Sequence, residues 1–180
     1  SLEQLEEELK DKMKKLYLPQ PDEKTGIIPQ FDGYFDLKEI DLSVYKNASV
    51  VGTVFHDYSG EDVQGMQAGK QADIVELLYQ MEDITTPDNK AKNYVYYEAR
   101  TLHDSSLSKA IHSITACDLG MEKEAYDMFM SAALTDLGQE MKSSDAGIHS
   151  ANMGGVWQDV VMGFGGIRIR DGHLRIAPNC

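Results

Sequence analysis

Apolar residues recur at helical spacing from the start of the chain. Leu2, Leu5, Leu9, Met13 and Leu16 fall on one face. Ser1 followed by Gln4 has the form of a capping box, so a helix is predicted over residues 2–16, stopped by Pro19 and Pro21. From there to about Gly69 the pattern is irregular. Turn signals at Thr25-Gly26, Asp32-Gly33 and Ser59-Gly60 separate short apolar pieces such as Ile27-Ile28 and Val50-Val51. A connection of this length in a compact domain is usually functional or depends on a missing partner.

Beyond Gly69 the pattern becomes regular. Residues 70–82 place Ile74, Leu77, Leu78 and Met81 on one helical face, and Thr86-Pro87 opens a second helix to about Arg100. A third helix is predicted over 105–119, with Leu107, Ala110, Ile111, Ile114 and Cys117 inward, closed by Gly120. A fourth, over 122–137, carries Ala125, Met128, Phe129, Ala132 and Ala133 and ends at Gly138. After a polar loop from Ser143 to Gly147 a fifth covers 149–162, stopped by Gly163-Phe164-Gly165-Gly166. The tail from Ile167 to Ile176 alternates apolar and polar around Asp171-Gly172, a hairpin signal. A lone hairpin is marginal, so its strands are expected to belong to a larger sheet.

Short turns join 70–82 to 86–100 and 105–119 to 122–137, so consecutive helices should be antiparallel and alternate ones parallel. The alternate helices start near Lys70, Ser105 and His149, and these starts should share one face. They also carry the chemically richest residues: Lys70-Gln71, His103 to Ser106, and Gly147-Ile148-His149. Taken alone, Asp104 and the serines at 105, 106 and 108 read as either an N-cap or an anion pocket. The sorting of polar residues by helix direction, with three helix dipoles adding positive potential, favours an oxyanion beside a hydroxylated neighbour, such as phosphate beside a sugar.

Composition narrows this further. The net charge of −13 argues against nucleic-acid and anionic-membrane partners, so an anionic ligand must be held by local donors. Cys117 and Cys180 form no disulfide framework, and no stretch reads as a signal peptide or a bilayer span; a reducing, cytoplasmic setting is expected. The histidines show no metal-ligand spacing and no metal site is predicted. His112, Cys117, Trp157 and the tyrosines at 94, 96 and 97 are expected in the core, and Glu98, two residues before Arg100, is expected to be structural. Ser1, which opens the chain inside a helix pattern, suggests a segment of something larger.

Several motifs occur in a characteristic order and spacing: Gly33-Tyr34-Phe35, Lys70-Gln71-Ala72-Asp73, Tyr97 through Ser108, Gly147-Ile148-His149, Met153 through Trp157, and Gly163 through Gly166. In these the chain resembles the second half of the catalytic barrel of glycoside hydrolase family 65, the inverting α-glucoside phosphorylases of the maltose, trehalose, kojibiose and nigerose type. The resemblance implies an all-α fold, part of an (α/α)6 barrel over 1–166, with 167–180 as the hairpin that begins a C-terminal β-domain. It implies phosphorolysis of an α-linked glucose disaccharide to β-glucose 1-phosphate, with inorganic phosphate as co-substrate and no other cofactor. It assigns glucosyl binding to Lys70 and Gln71 and phosphate binding to Ser105, Ser106 and His149, with His103 beside them. The family's general acid would lie upstream of Ser1, so the segment alone should be inactive and should need the remainder of its parent chain, which the resemblance leaves free to be a homodimer. The alternatives are a hydrolase of the same architecture, for which Asp104 or Asp145 would be the base, and a non-catalytic helical fragment for sugar binding or assembly. Exposed inner helix faces should make the isolated segment poorly soluble.

Overall fold

The computed structural model describes residues 1–46, 51–71, 73–138 and 147–179; Val50, Asp145, the loop from Ser143 to Ala146 and Cys180 lie outside them. Helix α1 (Leu2–Lys15) has the expected capping box, with Ser1 and Gln4 bonded reciprocally. Its apolar stripe is exposed from Leu2 to Met13 and packs on nothing among the described residues. The irregular stretch folds as short helical pieces, including α2 (Ser43–Lys46) and α3 (Gly60–Gln64), around two apolar clusters. One gathers Ile27, Ile28 and Tyr34 against the later helices; the other gathers Leu42, Val54 and Leu102.

The regular part consists of α4 (Asp73–Gln80), α5 (Pro87–Glu98), α6 (Ser108–Asp118), α7 (Glu122–Ala133) and α8 (Ser150–Gln158). Helix α6 touches both α4 and α8, while α5 lies against α4 and α6 and α7 lies against α6 and α8. Alternate helices therefore share an inner layer and the intervening ones cover it, which is the layering of an α/α barrel wall. The sequence of α6 explains its central place: Ser108, Ala110, His112, Ser113 and Thr115 are buried along with Ile114, Ala116 and Cys117, so small residues on every side admit neighbours all round.

Two helix starts fall three residues later than the periodicity predicts, for local reasons. Gly69 pairs with Thr101 in a parallel bridge, its N–H bonding the Arg100 carbonyl at 2.9 Å and its carbonyl accepting from Leu102 at 2.8 Å. That pairing holds Gly69 in an extended bridge, and α4 begins at Asp73. Ahead of α6, the Ser105 carbonyl accepts from the Ser108 N–H at 3.1 Å, closing a turn before the helix proper begins. Ser105 is thus a turn former rather than the N-cap, a place taken by Leu107. Helix α8 runs into a π-helical turn, Asp159–Phe164.

The hairpin forms as β1 (Ile167–Arg170) and β2 (His173–Ile176), with Ile167 opposite Ile176. Asp171 and Gly172 both have positive φ, 48° and 75°, as the tight two-residue turn demands. Within the described residues the sheet has two strands. Its anchor is Arg168, which is 4% exposed and donates to Glu82 and Asp118, both at 3.0 Å, and to the Met162 carbonyl. Gly166, at φ 58°, lies against the Ala177 backbone, where a Cβ would find no room.

A buried acid joins α6 to α8. Asp159 is fully buried, and burial pushes its carboxyl up to about 7. The Ser113 hydroxyl has one proton yet lies 2.7 Å from the Ala125 carbonyl and 2.9 Å from Asp159 Oδ1. Both contacts are satisfied when Ser113 donates to Ala125 and a protonated Asp159 donates to Ser113. A folded-state value above the unfolded one means that stability falls as pH rises from about 4 to about 7. Asp159→Asn should therefore gain stability over the native residue by roughly 2 kcal/mol between pH 5 and pH 8, read from denaturation midpoints of the full-length parent protein. A pH-independent difference would exclude a neutral Asp159.

Candidate active site

The first turns of the three inner helices border one cavity of about 590 Å³, lined by Gln71 and by Asp73 of α4, by Leu107 and Ser108 where α6 begins, and by Ala151 and Gly154 of α8. It runs down the inner layer past Glu76, Ile111 and Trp157. The three helix starts thus border one cavity, which also takes in Gln80 and Gln158 at the far ends of α4 and α8; of the residues expected to bind ligand, Gln71 lines it, whereas Lys70, His103, Ser105, Ser106 and His149 do not. Close packing brings α6 and α8 together: a Cβ on Gly155 would stand 3.1 Å from that of Ala110.

Lys70 and Gln71 follow directly on the Gly69–Thr101 bridge, so the lysine–glutamine pair lies alongside the Leu102–Ser106 loop. Both side chains are exposed. Lys70 is close enough to Asp104 that its charge favours the ionised carboxyl, though burial, the larger effect, pushes Asp104 upward. Asp104 Oδ2 accepts from the Gly52 N–H at 3.0 Å, which ties this carboxylate to the loop structure. The Ser105 hydroxyl is buried and accepts from the Leu107 N–H at 3.3 Å, leaving its own proton to donate. Ser106 is half-buried and its hydroxyl makes no hydrogen bond among the described residues.

His149 occupies the N-cap position of α8 and is held twice by Asp136, which accepts from its backbone N–H at 2.8 Å and from Nδ1 at 2.6 Å. The hydrogen bond from His149 holds Asp136 below the usual carboxylate range. An ionised carboxylate on Nδ1 fixes the ring so that Nε2 is the nitrogen left for a ligand. Asp136 went unseen in the sequence, since nothing in its spacing marks it as the partner of a histidine thirteen residues on.

His103 is buried and both its nitrogens are engaged, Nδ1 with Ser108 Oγ at 2.9 Å and Nε2 with Glu98 at 3.0 Å. Glu98 also accepts from His112 Nδ1 at 2.5 Å and from Lys46 at 2.5 Å. Burial works against the Glu98 charge, but the hydrogen bonds from the two histidines outweigh it and hold the carboxyl well below the usual range. Burial pushes His103 down to about 4, so it is neutral. Glu98, His103 and His112 are metal-ligand types within reach of one another. The Lys46 ammonium on Glu98 and the direct pairing make the group a hydrogen-bonded cluster, in which the buried His112 Nε2 is left without a partner.

Tyr94, Tyr97, His112 and Cys117 are buried as expected. Trp157 corrects its core assignment: it is 60% exposed and lines the cavity, because α8 turns one side to the open interior. Ile148, Met153 and Val160 are exposed on the same helix and its flanks. Among the described residues no helix is long and apolar enough to cross a membrane.

The profile of the glycosyl hydrolase family 65 central catalytic domain matches residues 2–158. A kojibiose phosphorylase of Halothermothrix orenii is 48% identical over 172 residues, covering 95% of this chain and 22% of that protein. The nigerose phosphorylase of Lachnoclostridium phytofermentans is 31% identical over 98% of this chain and 24% of its own length. The α,α-trehalose phosphorylase of Thermoanaerobacter brockii is 37% identical over 91% of this chain and 21% of its own length. A solved structure described as a candidate kojibiose phosphorylase from the human microbiome superposes with a TM-score of 0.82 at 32% identity, over 94% of this chain and 24% of its own. The chain thus spans less than a quarter of the length of these relatives.

Proposed function

The chain belongs to glycosyl hydrolase family 65, and on that premise we propose that it is the phosphate-holding part of an inverting α-glucoside phosphorylase. The observation that carries this reading is the convergence of three helix starts on one cavity, with Lys70-Gln71 alongside the serine loop and His149 oriented by Asp136. Ser105, Ser106 and His149 hold the phosphate, with His103 behind them, and Lys70 and Gln71 hold the glucosyl unit. A phosphate oxygen attacks the anomeric carbon from the face opposite the leaving oxygen, so configuration inverts and β-glucose 1-phosphate forms. Phosphate replaces both the water and its base. The carboxylic acid that protonates the leaving oxygen comes from elsewhere in the parent chain, which is this segment's obligate partner; residues 1–166 are barrel and 167–180 lead out of it. No cofactor is required. A cytoplasmic setting suits the buried Cys117 thiol.

Hydrolysis is the second reading, favoured by the carboxylates of Asp73 and Glu76 on the cavity wall. Against it, the carboxylate nearest the serines, Asp104, is committed to Gly52. The full-length parent, given an α-linked glucose disaccharide, should release β-glucose 1-phosphate only when phosphate is present. Release of glucose at a rate indifferent to phosphate would establish the hydrolase instead.

A further inference from the structure

Behind the cavity mouth lies a largely buried group of ionisable side chains. Glu98 ends α5 and draws together three other parts of the chain: Lys46 at the end of α2, His103 in the serine loop and His112 on α6. His103 passes the link on to Ser108, the first residue of α6. We infer that Glu98 is a positioning residue for the phosphate side of the site, acting through His103 and Ser108 to fix the turn that carries Ser105 and Ser106. This rests on the phosphorolysis reading above and adds to it Glu98, which acts through other residues.

Three features support the inference. His103 has φ 56°, a left-handed conformation that a residue with a Cβ holds only when its surroundings enforce it. Here the enforcement is visible, because each ring nitrogen is pinned, one from α5 and one from α6. The Lys46 ammonium also lies directly on the Glu98 carboxylate, which ties α2 into the same cluster. Finally, the two halves of the mouth are held separately. Lys70 and Gln71 depend on the backbone bridge from Gly69 to Thr101, which precedes His103, whereas Ser105 and Ser106 follow it. Loosening the ring cluster should free the serines and leave the lysine–glutamine pair in place.

The test uses the full-length parent with inorganic phosphate and disaccharide varied in turn. Ser108→Ala removes the hydroxyl on His103 Nδ1 at the helix start, and should raise the KM for phosphate about tenfold while the KM for disaccharide stays within about twofold. Ser108→Thr, which keeps the hydroxyl, should return the phosphate KM to within about threefold of the parent. Glu98→Gln should follow Ser108→Ala in direction. Equal rises in both KM values, or failure of threonine to restore the phosphate KM in a variant with an unchanged melting temperature, would overturn the positioning role while leaving phosphorolysis standing. A parent that shows no phosphate-dependent release would remove the phosphorolysis reading itself and this inference with it.

Discussion

Replacing His149 by alanine in the full-length parent is expected to raise the KM for phosphate by roughly 10- to 100-fold, with the KM for disaccharide moving less than about threefold. The size follows from what the ring offers. A hydrogen bond to an oxyanion is charge-assisted and worth about twice a neutral one, and Asp136 aims it by holding Nδ1. The selectivity follows from placement, because His149 begins α8 while the glucosyl donors precede α4. Asp136→Asn should shift the phosphate KM in the same direction by a smaller factor, since the ring remains but its orientation is no longer enforced. Initial-rate kinetics with each substrate varied at saturating concentrations of the other settle the matter; a rise confined to the disaccharide KM would reassign His149.

The second large effect concerns stability. Arg168→Met should speed amide exchange across residues 167–176 of the parent by about 100-fold, equivalent to roughly 3 kcal/mol of local stability. The arginine lies between Glu82 and Asp118, and its loss strands two partly buried carboxylates. Asp118 keeps Lys90 at 2.7 Å, and Glu82 keeps only longer contacts to Arg170 and Arg175, at 3.6 and 3.8 Å. The penalty should therefore fall mainly on Glu82. Its carboxyl is pushed upward by burial, but the Arg168 hydrogen bond and the neighbouring charges hold it below the ordinary value, so this stabilisation is present at neutral pH and is lost as pH falls into the acid range. Exchange at the native rate in the variant would mean that the hairpin is held by something other than its arginine.

What the chain discloses in advance follows the range of the interactions involved. Thr86-Pro87 marks the start of α5, and Asp171-Gly172 the hairpin turn, because caps and tight turns are decided by neighbours in sequence. The helix order, with its alternation of direction, was likewise readable, and with it the meeting of three helix starts. Ser105 shows where local reading fails: it has the chemistry of an N-cap, but the turn closed between its carbonyl and the Ser108 N–H makes α6 begin at Ser108. Glu98 is structural, as its place near a helix end suggests, yet its role is hidden from the sequence. Its partners come from residues 46, 103 and 112, and no periodicity connects them. The Asp136–His149 pair is tertiary in the same sense. Trp157 was misplaced because an aromatic residue on a helix stripe has the same pattern whether it faces packed neighbours or an open cavity.

The claim on which the rest depends is that one oxyanion is held where α4, α6 and α8 begin. A diffraction structure of the full-length parent with phosphate tests it most directly. The anion should lie at the mouth of the cavity with oxygens about 3 Å from Ser106 Oγ and His149 Nε2, beside Lys70 and Gln71. Phosphate bound elsewhere, with those side chains turned into packed protein, would contradict it.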